Sequence, residues 1–275
     1  MTSSSAGAAG KGSGSPMASV MTVCHQKGGV GKTTTVLSLG ACFAERGIHT
    51  LVVDLDPQAN LTNNLGLDPH TAPYSIAEVL AGEVAPARAT MESSVPGLDI
   101  LPSNTAMADI GRRLYQLPDH EFLLRRLLHE RVLAEYALVL IDCPPSIGPL
   151  TINALTAADL LILPTQCEYY SIQALKDMLE LINIIRDRSN PRLTYRILVT
   201  MFDGRGKFDA IMLDQLRECF GEGLLNTIIG FDTKLREAQA AGLPITVHSP
   251  HSRGAGQYRL LAEELLPYVE KKPLG

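Results

Sequence analysis

The feature that most constrains this chain is a glycine-rich loop between a strand-like run and a helix-like run. Residues 20–25, VMTVCH, are apolar and β-rich, and residues 33–47, TTTVLSLGACFAERG, have the pattern of a helix. The loop between them reads QKGGVGK and places Lys32 directly before Thr33. Backbone N–H groups of such a loop, together with the helix N-terminus, form a cradle for phosphate groups. The sequence therefore predicts a phosphate-binding loop at residues 28–33.

The chemistry of this loop follows from its residue types. Glycines are needed because side chains would block the approach of a phosphate to the backbone. We expect Lys32 to reach the β- and γ-phosphate oxygens and the Thr33 hydroxyl to bind Mg²⁺.

Strand-like and helix-like runs alternate along the rest of the chain. The runs that predict strands are 50–56, 98–102, 137–145, 159–166, 195–202 and 226–231. The runs that predict helices are 120–136, 170–188, 208–221 and 256–270. Strands separated by helices are typical of a parallel sheet covered by helices on both faces. We therefore predict one α/β domain over residues 17–275, with the mostly parallel sheet of a P-loop NTPase.

Composition narrows the partners and the compartment. Residues 1–16 are almost all Ser, Gly and Ala, which predicts a disordered tail or a cloning remnant. The net charge of −5 does not indicate a nucleic-acid or anionic-membrane partner, so any such partner must meet a local patch. The five cysteines include no C-x-x-C pair, which disfavours a metal cluster and indicates reduced thiols in a cytosol.

Three carboxylates end apolar runs that predict buried strands. Asp54 and Asp56 lie at the end of the run 50–56, and the period of two places both on one side of a strand. Asp142 ends the run ALVLID, which is the Walker B position at the carboxyl edge of a sheet. A carboxylate there is expected to face Mg²⁺, commonly through water.

The phosphate loop departs from the usual G-x-x-x-x-G-K-[ST] pattern. Gln26 stands at the first glycine position, and Lys27 adds a second lysine that a phosphate loop does not need. KGGVGKTT is the deviant Walker A signature of the MinD/ParA family of ATPases. Further segments resemble ParA/Soj partition ATPases in order and spacing, over roughly residues 20–266: LVVDLDPQANLT (51–62), LIDCPPSIGPLTINAL (140–155), PTQCEYYSIQAL (164–175) and LVTMFDGR (198–205).

The resemblance implies a cofactor, a partner and residue roles. It implies binding of ATP and Mg²⁺ and an ATP-dependent homodimer in which Lys27 contacts the phosphates held by the other subunit. Asp56 would orient the attacking water, and Asp54 would support the loop and the magnesium shell. Segments 54–62 and 142–150 would sense the γ-phosphate. The implied catalytic residues are Lys27, Lys32 and Asp56, and the implied metal-binding residues are Thr33, Asp54 and Asp142.

Adenine in this family lies near the end of the LVTM strand and the loop after the next strand. This implies contacts from Thr200, Met201 and the region 229–233. Soj-like proteins have Pro-Arg-Asn where this chain has Gly230-Phe231-Asp232, so the base contacts stay open. The nucleotide contacts predicted in all are Lys27, Gly28, Gly29, Val30, Gly31, Lys32, Thr33, Thr34, Thr200 and Met201.

The resemblance also implies binding to DNA without sequence preference and a cytoplasmic, nucleoid-associated location. Residues 186–259 carry eleven Lys and Arg against eight Asp and Glu, whereas the rest of the chain is acidic. Positive charge is what binds phosphate backbones. The candidate DNA-binding residues are Arg205, Lys207, Arg217, Lys234, Arg236, Arg253 and Arg259.

Several alternatives stay open within this family. A ParB-like protein that marks chromosome or plasmid DNA is the leading partner for stimulating hydrolysis. A cargo adaptor for a carboxysome or a chemoreceptor cluster is a second. A MinD-like membrane regulator is disfavoured, because the last helix carries Glu263, Glu264 and Glu270 and is interrupted by Pro267. A scaffold that holds ATP without hydrolysing it is separated from an ATPase only by kinetics.

Overall fold

A seven-stranded sheet forms the centre of the molecule. A computed structural model describes residues 18–129 and 135–270; the predicted tail, residues 1–16, lies outside these ranges. The strands are β1 (Ser19–Val23), β2 (Thr50–Asp54), β3 (Met91–Glu92), β4 (Leu98–Leu101), β5 (Leu138–Asp142), β6 (Leu160–Thr165) and β7 (Thr194–Val199). Their order is β3-β4-β2-β5-β1-β6-β7, and every pair is parallel except β3 with β4. The predicted mostly parallel sheet is confirmed.

Helices cover both faces of this sheet. Their bounds are α1 (Lys32–Glu45), α2 (Asn60–Asn64), α3 (Ile76–Leu80), α4 (Pro86–Ala89), α5 (Met107–Leu114), α6 (Leu123–Leu128), α7 (Pro149–Ala157), α8 (Ser171–Arg188), α9 (Lys207–Phe220), α10 (Thr233–Ala240), α11 (Ile245–His248) and α12 (Arg253–Glu270). One buried cluster contains residues of the helices α5 through α9 and of one face of the sheet. A second contains residues of α1 and α12 and of the other face.

Strand β2 shows why the central strands are continuous apolar runs. Leu51 and Val53 belong to the core on one face, while Val52 belongs to the core on the other. All five residues of β2 are buried. A strand between two helical layers has no solvent face and therefore needs no polar alternation.

The predicted strand at 226–231 is wrong. Its backbone forms an isolated bridge between Gly230 and Phe202, and Ile229 N donates to Val199 O of β7 at 2.9 Å. Asn226 N and Thr227 N donate instead to the Glu264 carboxylate of α12, at 2.7 and 2.9 Å. These two donors are therefore lost to strand pairing, and the segment runs along the edge of β7 with isolated contacts in place of a continuous ladder.

The predicted helix at 120–136 is only partly present. A 3₁₀ turn at His120–Phe122 leads into α6, which ends at Leu128. Residues 130–134 of the prediction lie outside the described ranges, and Tyr136 is not helical. Among the described residues, no helix combines the length and the apolar character needed to cross a membrane.

Candidate functional site

Three strand ends lie level at the carboxyl edge of the sheet. Asp142 of β5 pairs in register with Val23 of β1 on one side and with Asp54 of β2 on the other. The chain leaves β1, turns through the glycine-rich loop and enters α1 at Lys32. This topology brings the predicted phosphate loop beside the predicted carboxylates.

Two glycines in the loop adopt a backbone conformation that side chains disfavour. Gly29 has a φ of 74° and Gly31 a φ of 87°. Gly31 directly precedes α1, so its left-handed conformation turns the chain into the helix. The loop therefore needs glycine for its shape at these two positions.

Lys32 and Thr33 are held at the first turn of α1. Lys32 is buried, and its Nζ donates to Lys27 O at 3.1 Å. The Thr33 hydroxyl donates to Asp142 Oδ2 at 2.6 Å. The predicted metal-binding pair Thr33 and Asp142 is thus in direct contact in the structure.

The carboxylate of Asp142 is buried, and one of its two oxygens accepts a hydrogen bond, from Thr33. Its Oδ1 is buried and has no hydrogen-bond partner among the described residues. Burial, reinforced by the neighbouring Asp54 carboxylate, raises the pKa of Asp142 well above its usual range. An unpaired buried carboxylate oxygen is costly, and a cation at this position would remove the cost.

Asp54 and Asp56 differ in their surroundings. Both oxygens of Asp54 accept hydrogen bonds from the following loop: Oδ1 from Asp56 N, and Oδ2 from Thr62 N and Thr62 Oγ1 at 3.0 and 2.8 Å. Burial raises the pKa of Asp54 to about 6. Asp56 is also buried, and its Oδ1 accepts from Gln58 N at 2.9 Å. Asp54 therefore holds the loop 54–62, while its part in the magnesium shell stays a prediction.

Two residues that the sequence analysis did not single out complete this loop. Thr62 Oγ1 accepts from Ser103 N at 3.0 Å, and Ser103 Oγ donates to Asp56 O at 2.8 Å. Both residues are buried. Thr62 is inside a quoted motif, but nothing in the sequence indicates that a serine after β4 reaches the backbone of Asp56.

Lys27 lies at the exposed entrance of the loop. Its ammonium group forms an ion pair with the Glu168 carboxylate, and the side chains are 44% and 51% exposed. Its backbone N–H donates to His25 Nδ1 at 3.0 Å. His25 and Glu168 were not among the predicted residues; each lies inside a quoted segment, but only the fold shows its contact with Lys27.

Thr200 and Met201 lie against the other side of the loop. Thr200 Oγ1 donates to Val30 O at 2.9 Å, and a Cβ on Gly31 would lie 3.8 Å from Met201 Cε. Met201 itself has a φ of 53°. The structure therefore places both predicted nucleoside contacts beside the phosphate loop.

A cavity of about 90 Å³ adjoins these two residues. It is lined in part by Gly31, Thr34, Phe231 and Gln239. The Arg236 guanidinium lies over the Phe231 ring, 5.2 Å from its centroid, and Gln239 Nε2 donates to Thr34 Oγ1 at 2.5 Å. The segment that departs from the Soj-like pattern is thus part of the wall of this cavity.

The seven predicted DNA-binding residues differ in the contacts that they make within the chain. Arg236 and Arg253 both contact Phe231, so these two are brought together. Lys207 is exposed at the start of α9. Four others form ion pairs with carboxylates of their own chain: Arg205 with Asp203, Arg217 with Asp214, Lys234 with Glu237, and Arg259 with Glu45.

The site as a whole combines an anion cradle with acceptors for a hard cation. The loop supplies backbone N–H groups, a helix N-terminus and two lysines, which together suit a polyphosphate. Asp142 Oδ1 and the Thr33 hydroxyl supply oxygen ligands of the kind that Mg²⁺ prefers. Asp56 provides a further carboxylate at the same edge of the sheet.

Comparisons with known proteins agree with this geometry. A family model described as an AAA domain matches residues 18–195. The sporulation initiation inhibitor protein Soj of Bacillus subtilis is 36% identical over 250 residues, which cover 90% of this chain and 98% of that protein. The chromosome-partitioning ATPase Soj of Thermus thermophilus is 40% identical over 252 residues, covering 90% of this chain and 96% of its own.

A solved structure shares the whole fold. Cobyrinic acid a,c-diamide synthase from Mycobacterium smegmatis, with bound ATP analogue and magnesium, superimposes with a TM-score of 0.81 at 35% sequence identity. The match covers 93% of this chain and 98% of that one. Together with the motifs and the geometry of the loop, these matches show that the chain belongs to the ParA/Soj group of the MinD/ParA family of P-loop ATPases.

Proposed function

We propose that the protein is an ATP-driven switch that positions DNA or another cargo over the nucleoid. ATP binding joins two subunits, the dimer binds DNA without sequence preference, and a partner protein stimulates hydrolysis, which releases the subunits. The observation that carries this proposal is the second lysine, Lys27, at the exposed entrance of the phosphate loop. The similarity to Soj proteins over most of the chain supports it.

The residues present fit Mg·ATP. Lys32 and the N–H groups of 28–33 would hold the phosphates, and Thr33 with Asp142 Oδ1 would hold the ion. Bound magnesium neutralises charge that develops on the transferred phosphoryl group. Asp56 is the residue that would orient the attacking water. Thr200, Met201 and the cavity beside Phe231 would take the nucleoside.

Lys27 explains how dimerisation would depend on ATP. A lysine carries a compact charge on a long flexible stem, so it reaches across an interface to a phosphate. A cation supplied in trans stabilises the transferred phosphoryl group, as arginine fingers do. A triphosphate offers more negative charge to this lysine than a diphosphate, and the dimer should therefore form with ATP and dissociate with ADP.

The exposed basic residues of the C-terminal half are the proposed DNA contacts. Lys207, Arg236 and Arg253 are exposed and are not paired with a carboxylate by any described contact. The four paired residues would exchange their carboxylates for DNA phosphates, which costs little because exposed pairs are weak. Two copies of this surface in a dimer double the number of phosphate contacts, so ATP would strengthen DNA binding through dimerisation.

DNA binding with each nucleotide tests this function. A random-sequence duplex is titrated with protein in ATP, in ADP and without nucleotide, across a salt series, for the wild type and Asp56→Ala. We expect binding with ATP only, an affinity that falls steeply with salt, and tighter binding for Asp56→Ala because hydrolysis is blocked.

Two substitutions of single arginines, one within the proposed DNA surface and one outside it, form a matched test and control. Arg205→Ala should lower the affinity for every sequence and reduce the salt slope by about 1. Arg88→Ala, at an exposed arginine outside the proposed surface, should change neither. A protein that binds no DNA with any nucleotide would overturn the nucleoid as the surface on which it acts.

A further inference from the structure

Lys27, which we propose acts on the phosphates bound by the partner subunit, already has a contact within its own subunit. Lys27 Nζ forms its ion pair with Glu168, 141 residues away in the sequence. Both side chains are about half exposed, so the pair lies at the surface where a second subunit would arrive. The charge that would neutralise the partner's phosphates is therefore balanced in cis by a carboxylate.

Glu168 is held in place by a tight turn after β6. Its N–H lies 2.9 Å from Gln166 O, and its carbonyl accepts from Ser171 N at 3.0 Å. Ser171 Oγ donates to Gln166 O at 2.5 Å. These contacts fix the backbone from which the Glu168 carboxylate projects toward Lys27.

The same turn contacts the phosphate loop at a second point. Gln166 Nε2 donates to Gly29 O at 3.2 Å, while Glu168 pairs with Lys27. The turn 166–168 thus lies along the first half of the loop. A movement of Lys27 away from Glu168 breaks one of these two contacts and leaves the other in place.

We propose that Glu168 is a positioning residue that holds Lys27 within its own subunit, and that dimerisation exchanges this carboxylate for the phosphates bound by the partner. This inference rests on the proposed function, since it needs Lys27 to act in trans. Glu168 then sets a threshold: a ligand must offer Lys27 more negative charge than one carboxylate does. A triphosphate with a second subunit meets this requirement more readily than a diphosphate.

The expected size of the effect follows from the exposure of the pair. An exposed ion pair shifts an equilibrium by about fivefold at most. Formation of a symmetric dimer breaks two such pairs, one in each subunit. Removal of the Glu168 charge should therefore strengthen dimerisation by up to about thirtyfold. Glu168 therefore acts as a moderate threshold, which ATP overcomes.

Dimerisation of Glu168→Gln provides the test. The dimer dissociation constant is measured by sedimentation with magnesium and a non-hydrolysable ATP analogue, and again with ADP. Glu168→Gln keeps the size of the side chain, and we expect its dimer dissociation constant to fall severalfold or more. Glu168→Asp keeps the charge and should stay near the wild type. Glu180→Gln, at an exposed carboxylate of α8, is the matched control and should behave as the wild type.

The double variant Lys27→Ala/Glu168→Gln separates this inference from the proposed function. In the Lys27→Ala background the Glu168 substitution should have no effect, because its target is gone. If Glu168→Gln leaves dimerisation unchanged or weakens it, or still strengthens it without Lys27, the positioning role is refuted. If Lys27→Ala alone dimerises like the wild type, the trans role of Lys27 is refuted instead. Thermal unfolding and nucleotide affinity of each single subunit confirm that the variants are folded.

Discussion

His25 lies just before the phosphate loop, and its buried imidazole accepts one hydrogen bond. Its Nδ1 accepts the N–H of Lys27, and its Nε2 has no hydrogen-bond partner among the described residues. Burial, followed by the charges of Lys32 and Lys27, lowers the pKa of His25 to about 4. A protonated ring has no free lone pair, so protonation would break the contact at the start of the loop.

This pKa predicts a component of stability that depends on pH. His25 takes up its proton near pH 6.5 when unfolded and near 4 when folded, so its contribution is complete above about 6.5 and is lost as the pH falls toward 4. Asp54 acts with the opposite sign, because burial raises its pKa to about 6. Urea unfolding between pH 4 and 8 should show the stability gap between wild type and His25→Gln widening with pH up to about 6.5. Parallel profiles would contradict this assignment.

Helix α1 lies unusually close to the sheet beneath it. A Cβ on Gly40 would lie 2.9 Å from Leu98 Cδ1 and 3.1 Å from Val52 Cγ1. The missing side chain therefore allows the helix backbone to pack directly over β2 and β4. Because α1 begins at the phosphate loop, this packing also sets the position of Lys32 and Thr33 relative to the strand ends.

Two glycine-to-alanine substitutions in helices should have opposite effects. Gly40→Ala should lower the free energy of unfolding by about 1–3 kcal/mol, because overpacking outweighs the helix propensity of alanine. Gly256→Ala is the control: it lies in α12, and no atom is within 4 Å of the added Cβ. It should raise stability by roughly 0.5–1 kcal/mol. Urea unfolding measures both, and a gain at position 40 would show that the helix shifts without cost.

At the scale of the whole molecule, one edge of the sheet collects the site. Topology brings together the ends of β1, β2 and β5, so residues from three distant segments meet around one loop. Ligand binding at such a junction ties these segments to one another. It should therefore stabilise the complete fold, beyond the loop itself.

The expected stabilisation is measurable by thermal unfolding. Mg·ATP at about one hundred times its dissociation constant should add about 2.7 kcal/mol to the stability of the wild type. Lys32→Ala should lose most of this shift at the same ATP concentration, and chelation of magnesium should reduce it. Lys176→Ala removes an exposed lysine of α8 and should keep the full shift. An equal shift for Lys32→Ala would contradict the role of Lys32 in phosphate binding.

The sequence indicated the long elements well and the short ones poorly. The buried strands β2, β5 and β6 are mostly continuous apolar runs, and a strand covered on both faces leaves that pattern in the sequence. Short helices such as α2 and α3 have five residues each, which is too few for a helical repeat to be recognised. The run 226–231 has the composition of a strand, but the carboxylate of Glu264 accepts its first two N–H groups, those of Asn226 and Thr227.

The sequence by itself determined the phosphate loop, the order of strand and helix around it, and the aspartates that end β2 and β5. These features are local, because a glycine turn, an apolar run and a terminal carboxylate each depend on neighbouring residues. Only the tertiary structure decided the partners of those groups. It joined Asp54 to Thr62, left Asp142 Oδ1 without a partner among the described residues, and paired Lys27 with Glu168. Such contacts depend on which strands lie side by side, and no short stretch of sequence contains that information.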